Sequence, residues 1–141
     1  MSDRAVDGIR FEDHPPPVAD FIRMRADCGW GEDSPDVCGP ALETSLAAIT
    51  VFDAANRLIG FARAVGDPLY IYIQDVIIAP ELRGKGLGGR LMQHFLAQLT
   101  RDYPHATIML MSEKGRERFY VELGFEVRPS ENFGPGMQLV R

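Results

Sequence analysis

The chain has 141 residues, a single-domain length with room for a core that hides about two-thirds of the surface of the unfolded chain. Hydrophobic residues make up 45% and charged residues 25%, which excludes wholesale disorder, and no apolar run approaches the ~20 residues that span a bilayer. The net charge of −5 excludes a general nucleic-acid binder, which needs a broad basic face.

Pro15-Pro16-Pro17 sets the start of a helix in which Val18, Phe21, Ile22 and Arg25 recur at helical spacing. Cys28 to Pro40, rich in Gly, Asp and Pro, predicts a loop, followed by a short helix over 41–45. Residues 47–52 and 58–65 predict two strands joined by a tight turn at 53–56. Gly66-Asp67-Pro68 breaks the chain again. Residues 69–79, dense in aromatic and β-branched side chains, predict a strand covered on both faces. Leu87, Leu91, Met92, Phe95, Leu96 and Leu99 form the stripe of an amphipathic helix that Tyr103-Pro104 ends. Residues 106–111 predict a strand, 116–123 a helix capped by Gly124, and 126–128 and 137–140 two last strands. The order describes one mixed α/β domain over 1–141, with a strand–loop–helix–strand unit at its centre.

The acidic total hides a basic island. Residues 82 to 101 hold Arg83, Lys85, Arg90 and Arg101 and no acid, so this stretch is +4 and the remainder −9. Within it, Arg83-Gly84-Lys85-Gly86-Leu87-Gly88-Gly89 follows the best strand and opens the best helix. Free N–H groups at a helix N-terminus carry partial positive charge, and glycines let that backbone approach an anion closely. Together with Arg83 and Lys85 they suit a pyrophosphate. A P-loop would need Ser or Thr after Gly84-Lys85, where Gly86 stands. A dinucleotide fingerprint is literally matched by Gly84, Gly86 and Gly89, with Glu113 ending the next strand, but residues 79–83 replace the tight turn it needs.

The third reading fits best. Arg83-Gly84-Lys85-Gly86-Leu87-Gly88 resembles the Arg/Gln-x-x-Gly-x-Gly/Ala signature of the Gcn5-related N-acetyltransferase (GNAT) superfamily, and Val76-Ile77-Ile78-Ala79-Pro80 resembles the strand before it. Phe119-Tyr120-Val121-Glu122-Leu123-Gly124-Phe125 is similar to the second signature, Phe-Tyr-x-x-x-Gly-Phe. Ser112-Glu113-Lys114-Gly115 departs from the pattern, since many members carry Asn there. The resemblance implies the GNAT fold: a mixed, mostly antiparallel sheet whose fourth and fifth strands splay apart, flanked by helices. It implies acetyl-coenzyme A as cosubstrate, with its pyrophosphate on Arg83, Gly84, Lys85, Gly86, Leu87 and Gly88. The pantetheine arm would pair with the backbone of Val76, Ile77 and Ile78 like an added strand. A backbone N–H on that strand would stabilise the oxyanion, and Tyr120 would protonate the leaving sulfur.

The segment Tyr72-Ile73-Gln74-Asp75-Val76 resembles the Ile-Glu-Asp motif of glucosamine-phosphate N-acetyltransferases, with Gln74 in place of Glu. Asp75 is then either the base or amine-orienting group, or a structural carboxylate at a strand kink; Glu32 and Asp33 are weaker base candidates. Trp30 and Glu32, in the acidic loop between the first two helices, are candidates for binding the acceptor, since acid plus aromatic favours a cationic amine. A sugar phosphate would instead need a second basic site, for which only Arg23, Arg25, Arg63 and Arg128 offer themselves, scattered along the chain.

The resulting expectation is an N-acetyltransferase acting on a small-molecule or peptide amine by direct transfer in a ternary complex. The alternatives are a non-catalytic acetyl-coenzyme A sensor and a dinucleotide-binding oxidoreductase. The superfamily often forms homodimers through C-terminal strands. Met1-Ser2-Asp3-Arg4-Ala5-Val6-Asp7 has no apolar centre and predicts no secretory leader, and Cys28 and Cys38 fit a reduced, cytoplasmic protein. Three histidines and two cysteines ten positions apart form no zinc-ligand set, so no metal is expected and no nucleic acid or membrane partner.

Overall fold

A computed structural model describes residues 7–141. Residues 1–6, on which most of the leader reading falls, lie outside the described residues. The elements run β1 (Arg10–Glu12), α1 (Val18–Asp27), α2 (Pro35–Glu43), β2 (Ala47–Phe52), β3 (Leu58–Gly66), β4 (Tyr70–Ile78), a 3-10 turn (Pro80–Leu82), α3 (Leu87–Asp102), β5 (Thr107–Leu110) and α4 (Glu117–Glu122). They form two compact units, one through residue 109 and one from Leu110 to Arg141.

The first unit is an α/β layer. One sheet carries its strands in chain order, β1 to β5, and β1 through β4 pair antiparallel. Sequential order follows from the tight connections: Asp53 Oδ1 accepts the N–H groups of Ala55 and Arg57, and Asp67 Oδ1 accepts those of Leu69 and Tyr70, so each carboxylate closes one reversal. The crossover helix α3 then brings β5 beside β4, where the Thr107 N–H donates to the Leu69 carbonyl at 2.8 Å. Four residues of β5 reach about 13 Å and nine of β4 about 30 Å, so β5 lines only part of β4.

Two sets of side chains close the core. Phe21 and Met24 of α1 and Cys38 and Leu42 of α2 pack with Phe61 and Ile77 from the sheet. α3 packs across β2, β3 and β4 through Leu87, Leu91, Met92, Phe95 and Leu99, each at most 1% exposed. Their i, i+4 spacing is the stripe expected from the sequence, and truncating one of the large ones costs about 3–5 kcal/mol.

Four expectations are corrected. β1 is an added strand, three residues long. α2 begins at Pro35 rather than at residue 41, with Ser34 as N-cap and proline in the first turn where no N–H is needed. β4 is fully buried only at alternate residues up to Ile77, because Tyr72, Gln74 and Val76 on the other face are half-buried. Residues 126–128 and 137–140 are not strands. Apolar alternation becomes a strand only where another edge takes up its backbone groups, and in the second unit α4 is followed by turns, bends and irregular chain. Val127, Met137, Leu139 and Val140 accordingly stay exposed.

Candidate active site

The end of β4 is bent by a β-bulge. Phe61 faces Ile77 and Arg63 faces Gln74, so Asp75 and Val76 together oppose Ala62 alone. Asp75 takes the left-handed conformation this needs, at φ +58°, which aspartate tolerates better than most residues. The bulge turns its carboxylate into the protein, where the side chain is 1% exposed. A buried carboxylate needs partners, and two arginines supply them. Arg63 Nε donates to Asp75 Oδ2 at 2.7 Å from the neighbouring strand, and Arg25 Nη1 donates to Oδ1 from α1. Both guanidiniums lie over the Phe21 ring, each 5.5 Å from its centroid. Arg63 Nη1 also donates to Ser45 Oγ at 3.2 Å.

Gly60, on β3 beside this bulge, permits its close packing. A Cβ there would stand 2.8 Å from Ile78 Cδ1 and 3.0 Å from the Ile77 carbonyl oxygen. Val76, Ile77 and Ile78 lead from the bulge, through the Pro80–Leu82 turn, to the glycine loop.

That loop is pinned at both ends and open between. Leu82 and Leu87 are buried, while Arg83, Gly84, Lys85 and Gly86 are exposed. Gly84 and Gly86 hold φ +78° and +81°, and Gly86 is the N-cap of α3 with no side-chain cap. The first N–H groups of a sixteen-residue helix therefore point outward from Leu87 and Gly88 beside Lys85. Arg83 Nε donates to the Ile78 carbonyl at 3.1 Å and Nη2 to Cys28 Sγ at 3.4 Å, tying the loop to the end of β4 and to α1. The donors, the open space at Gly84 and Gly86 and the positive charge fit a diphosphate. Both cysteines are free thiols.

The acceptor candidates are divided. Trp30 stands on the same side of the site, its ring 5.8 Å from Arg25 Cζ, and Asp33 Oδ2 lies 3.5 Å from Arg25 Nη2. Glu32 is exposed on the same loop and joins none of these contacts. The aromatic and one acid of the loop are thus engaged by an arginine of the protein itself.

Tyr120 belongs to the second unit. It is half-buried on α4, edge-on to Phe119 at 4.9 Å and to Phe125 at 6.0 Å. Burial pushes its phenol above the ordinary tyrosine value; nearby Arg116 opposes this and Glu113 adds to it. Such a phenol keeps its proton at neutral pH, as a proton donor must.

Sequence reasoning named Arg25 and Arg63 only as scattered cations and missed that Asp75 joins them. One signal was available: Arg63 interrupts the apolar run Ile59 to Val65 on a strand, and a charge in such a run calls for a buried partner. The contact between Arg83 and Cys28 left no comparable trace.

Among the described residues no helix is long and apolar enough to cross a membrane, and no group of three or more His, Cys, Asp or Glu is placed to hold a metal ion.

The acetyltransferase (GNAT) domain family matches residues 38–141. The uncharacterized N-acetyltransferase ycf52 of Gracilaria tenuistipitata var. liui is 37% identical over 114 residues, covering 78% of this chain and 62% of that protein. Serotonin N-acetyltransferase 2, chloroplastic, of Oryza sativa subsp. japonica is 36% identical over 77 residues, covering 54% of this chain and 38% of that one. The chain spans 51% and 62% of the length of two of the ycf52 proteins it matches. Among solved structures, a protein of unknown function from meticillin-resistant Staphylococcus aureus superposes with a TM-score of 0.80 at 22% identity, over 94% of this chain and 99% of that one. Glucosamine-6-phosphate N-acetyltransferase from Arabidopsis thaliana superposes at 0.67 with 12% identity, over 94% and 97%. These two likenesses concern the fold alone, and the glucosamine-phosphate enzyme is a distant neighbour.

Proposed function

Because the chain belongs to the GNAT acetyltransferase family, we propose that it transfers the acetyl group of acetyl-coenzyme A directly to a primary amine within a ternary complex. The observation that carries this reading is the exposed glycine loop at the N-terminus of α3, tied by Arg83 to the end of a bulged β4. Arg83, Lys85 and the N–H groups from Gly84 to Gly88 receive the pyrophosphate. The backbone of Val76, Ile77 and Ile78 receives the pantetheine arm, and an N–H of that stretch faces the developing oxyanion. Tyr120, protonated at neutral pH, gives its proton to the leaving sulfur.

Asp75 acts as a positioning residue. Both of its oxygens accept guanidinium hydrogen bonds, so the carboxylate holds the bulge, and an amine would have to displace an arginine to reach it. Proton removal from the ammonium then falls to water or to an acid of the 28–34 loop, Glu32 being the exposed candidate.

Residues 1–141 serve as one acetyltransferase domain, a reading supported by a family match that runs across both compact units. A homodimer formed through the C-terminal residues is supported by the exposure of Met137 at 88% and Val140 at 90%, and sedimentation of Leu139→Glu against the unaltered chain tests it. A cytoplasmic setting rests on the two free thiols.

The test is thiol release from acetyl-coenzyme A against a panel of primary amines. Turnover with any amine supports transfer. Binding of acetyl-coenzyme A with no turnover across the panel would move the protein to the sensor class.

A further inference from the structure

We propose that the acceptor amine carries an anionic group, a carboxylate or a phosphate, which Arg25 receives in place of Asp33. The inference rests on the acetyl-transfer reading and adds the substrate class.

Arg25 and Arg63, 18% and 12% exposed in their side chains, converge on the single buried carboxylate of Asp75. Two guanidiniums against one carboxylate leave one positive charge in a largely buried place, where it calls for a counter-charge. Asp33 supplies it poorly: it is 53% exposed, sits on the loop between α1 and α2, and stands 3.5 Å from Arg25 Nη2. Asp33 is more than half open to water, on a loop, and its contact is longer than either contact to Asp75, so another anion can compete for its place.

Geometry sets where that anion sits. Arg25 Nη1 points inward to Asp75, while Nη2 points outward to Asp33, so the outward edge of the guanidinium is the part a ligand can reach. Asp75 is the residue before Val76, where the backbone stretch assigned to the pantetheine arm begins. An anion on Arg25 therefore lies beside the transfer site, within the span of one small molecule. Trp30 on the same guanidinium gives an apolar wall to the body of the acceptor. Two of the four cations that the sequence left scattered are thus assembled into one basic site outside the coenzyme loop.

Two measurements on the full chain test this together. In the first, kcat/KM is compared within matched pairs: tyrosine against tyramine, and glucosamine 6-phosphate against glucosamine. The expected result is a preference of about tenfold or more for the anionic member of at least one pair, since charge-assisted hydrogen bonds to arginine are strong. Asp33→Asn should widen the preference through a lower KM for that member, and Arg25→Lys, which keeps the charge but loses the outward fork, should narrow it. Equal use of both members in both pairs, or a preference that Asp33→Asn leaves unchanged, overturns the inference.

The second measurement needs no turnover. Trp30 is the only tryptophan of the chain and touches Arg25, so its emission reports on this edge. N-acetylglycine or N-acetylglucosamine 6-phosphate should change it saturably, and N-methylacetamide and N-acetylglucosamine should not. A response to one anion and not the other tells carboxylate from phosphate. A saturable response with no amine acetylated keeps the anion site and overturns the transfer reading. Amines acetylated without preference or emission change overturn the anion site and keep transfer. Neither signal overturns both.

Discussion

Arg63 of β3 reaches diagonally to Asp75 of β4, one residue past its register partner Gln74 and at the point where β4 gains an extra residue, and Arg63 Nε donates to Asp75 Oδ2 at 2.7 Å. The bulge and the ion pair depend on each other. The left-handed turn at Asp75 brings the carboxylate inward, and the arginines of β3 and α1 compensate its charge there. The backbone that follows is the stretch that leads to the glycine loop, so whatever loosens this pair loosens the site.

Asp75→Asn should therefore act first on stability. It leaves two largely buried guanidiniums without their carboxylate, and removing one partner of a buried pair costs about 3–5 kcal/mol. Urea denaturation should show that loss, and a double-mutant cycle with Arg63→Gln should give a coupling of about 0.5–3 kcal/mol. Unchanged stability with kcat abolished would return Asp75 to the role of base.

Gly60→Ala places a Cβ 2.8 Å from Ile78 Cδ1 and 3.0 Å from the Ile77 carbonyl. Backbone must yield, since a flexible side-chain end is only one of the two obstacles. Overpacking of this kind costs about 1–3 kcal/mol, and the displaced β4 should bind acetyl-coenzyme A more weakly. Thermal unfolding and calorimetry together check it; a variant with full affinity would show that the packing of β3 on β4 does not set the site.

Much of this was legible in the chain and some was not. The α3 stripe was readable because Leu87, Leu91, Phe95 and Leu99 repeat a local period that needs no tertiary partner to be seen. The glycine loop was readable because Arg83 to Gly89 gathers glycine and positive charge between the best strand and the best helix. The bulge was not: an unbroken run from Leu69 to Ala79 fixes a strand but carries no register, and register is decided by pairing with β3. The Arg25–Asp75 contact joins residues fifty positions apart, beyond any local signal. The start of α2 was missed although Ser34-Pro35 is a helix-opening pair, because Gly39-Pro40 five residues on read as loop. The last strands failed for the opposite reason: Met137 to Val140 has the right composition without an edge to pair with in its own unit.

Gly86→Ala isolates backbone conformation from space, because a Cβ there meets nothing within 4 Å while φ is +81°. The strain is about 1–2 kcal/mol, and relaxing it re-aims the first N–H groups of α3. Affinity for acetyl-coenzyme A should fall more than affinity for dephosphorylated pantetheine compounds, as calorimetry with both would read. Equal loss for both would place the pyrophosphate elsewhere.

Tyr120→Phe should lower kcat about a hundredfold or more while KM for acetyl-coenzyme A changes little, as for a lost proton donor. The pH profile carries the sign. A phenol donates only below its pKa, and burial raises that of Tyr120, so the alkaline fall in kcat should have its midpoint above the ordinary tyrosine value of ~10 and not below it. A wild-type fall with its midpoint below the ordinary tyrosine value that vanishes in Tyr120→Phe would contradict the raised phenol, and an unaltered kcat in the variant would remove Tyr120 from the mechanism.

The most direct measurement is calorimetric titration of the full chain with acetyl-coenzyme A, with NAD and ATP as competitors, repeated on Arg83→Glu. The account predicts saturable binding of acetyl-coenzyme A that neither competitor displaces, lost when the charge at position 83 is reversed. No binding of acetyl-coenzyme A, with measurable binding of NAD, would contradict it and return the glycines at 84, 86 and 89 to a dinucleotide fingerprint.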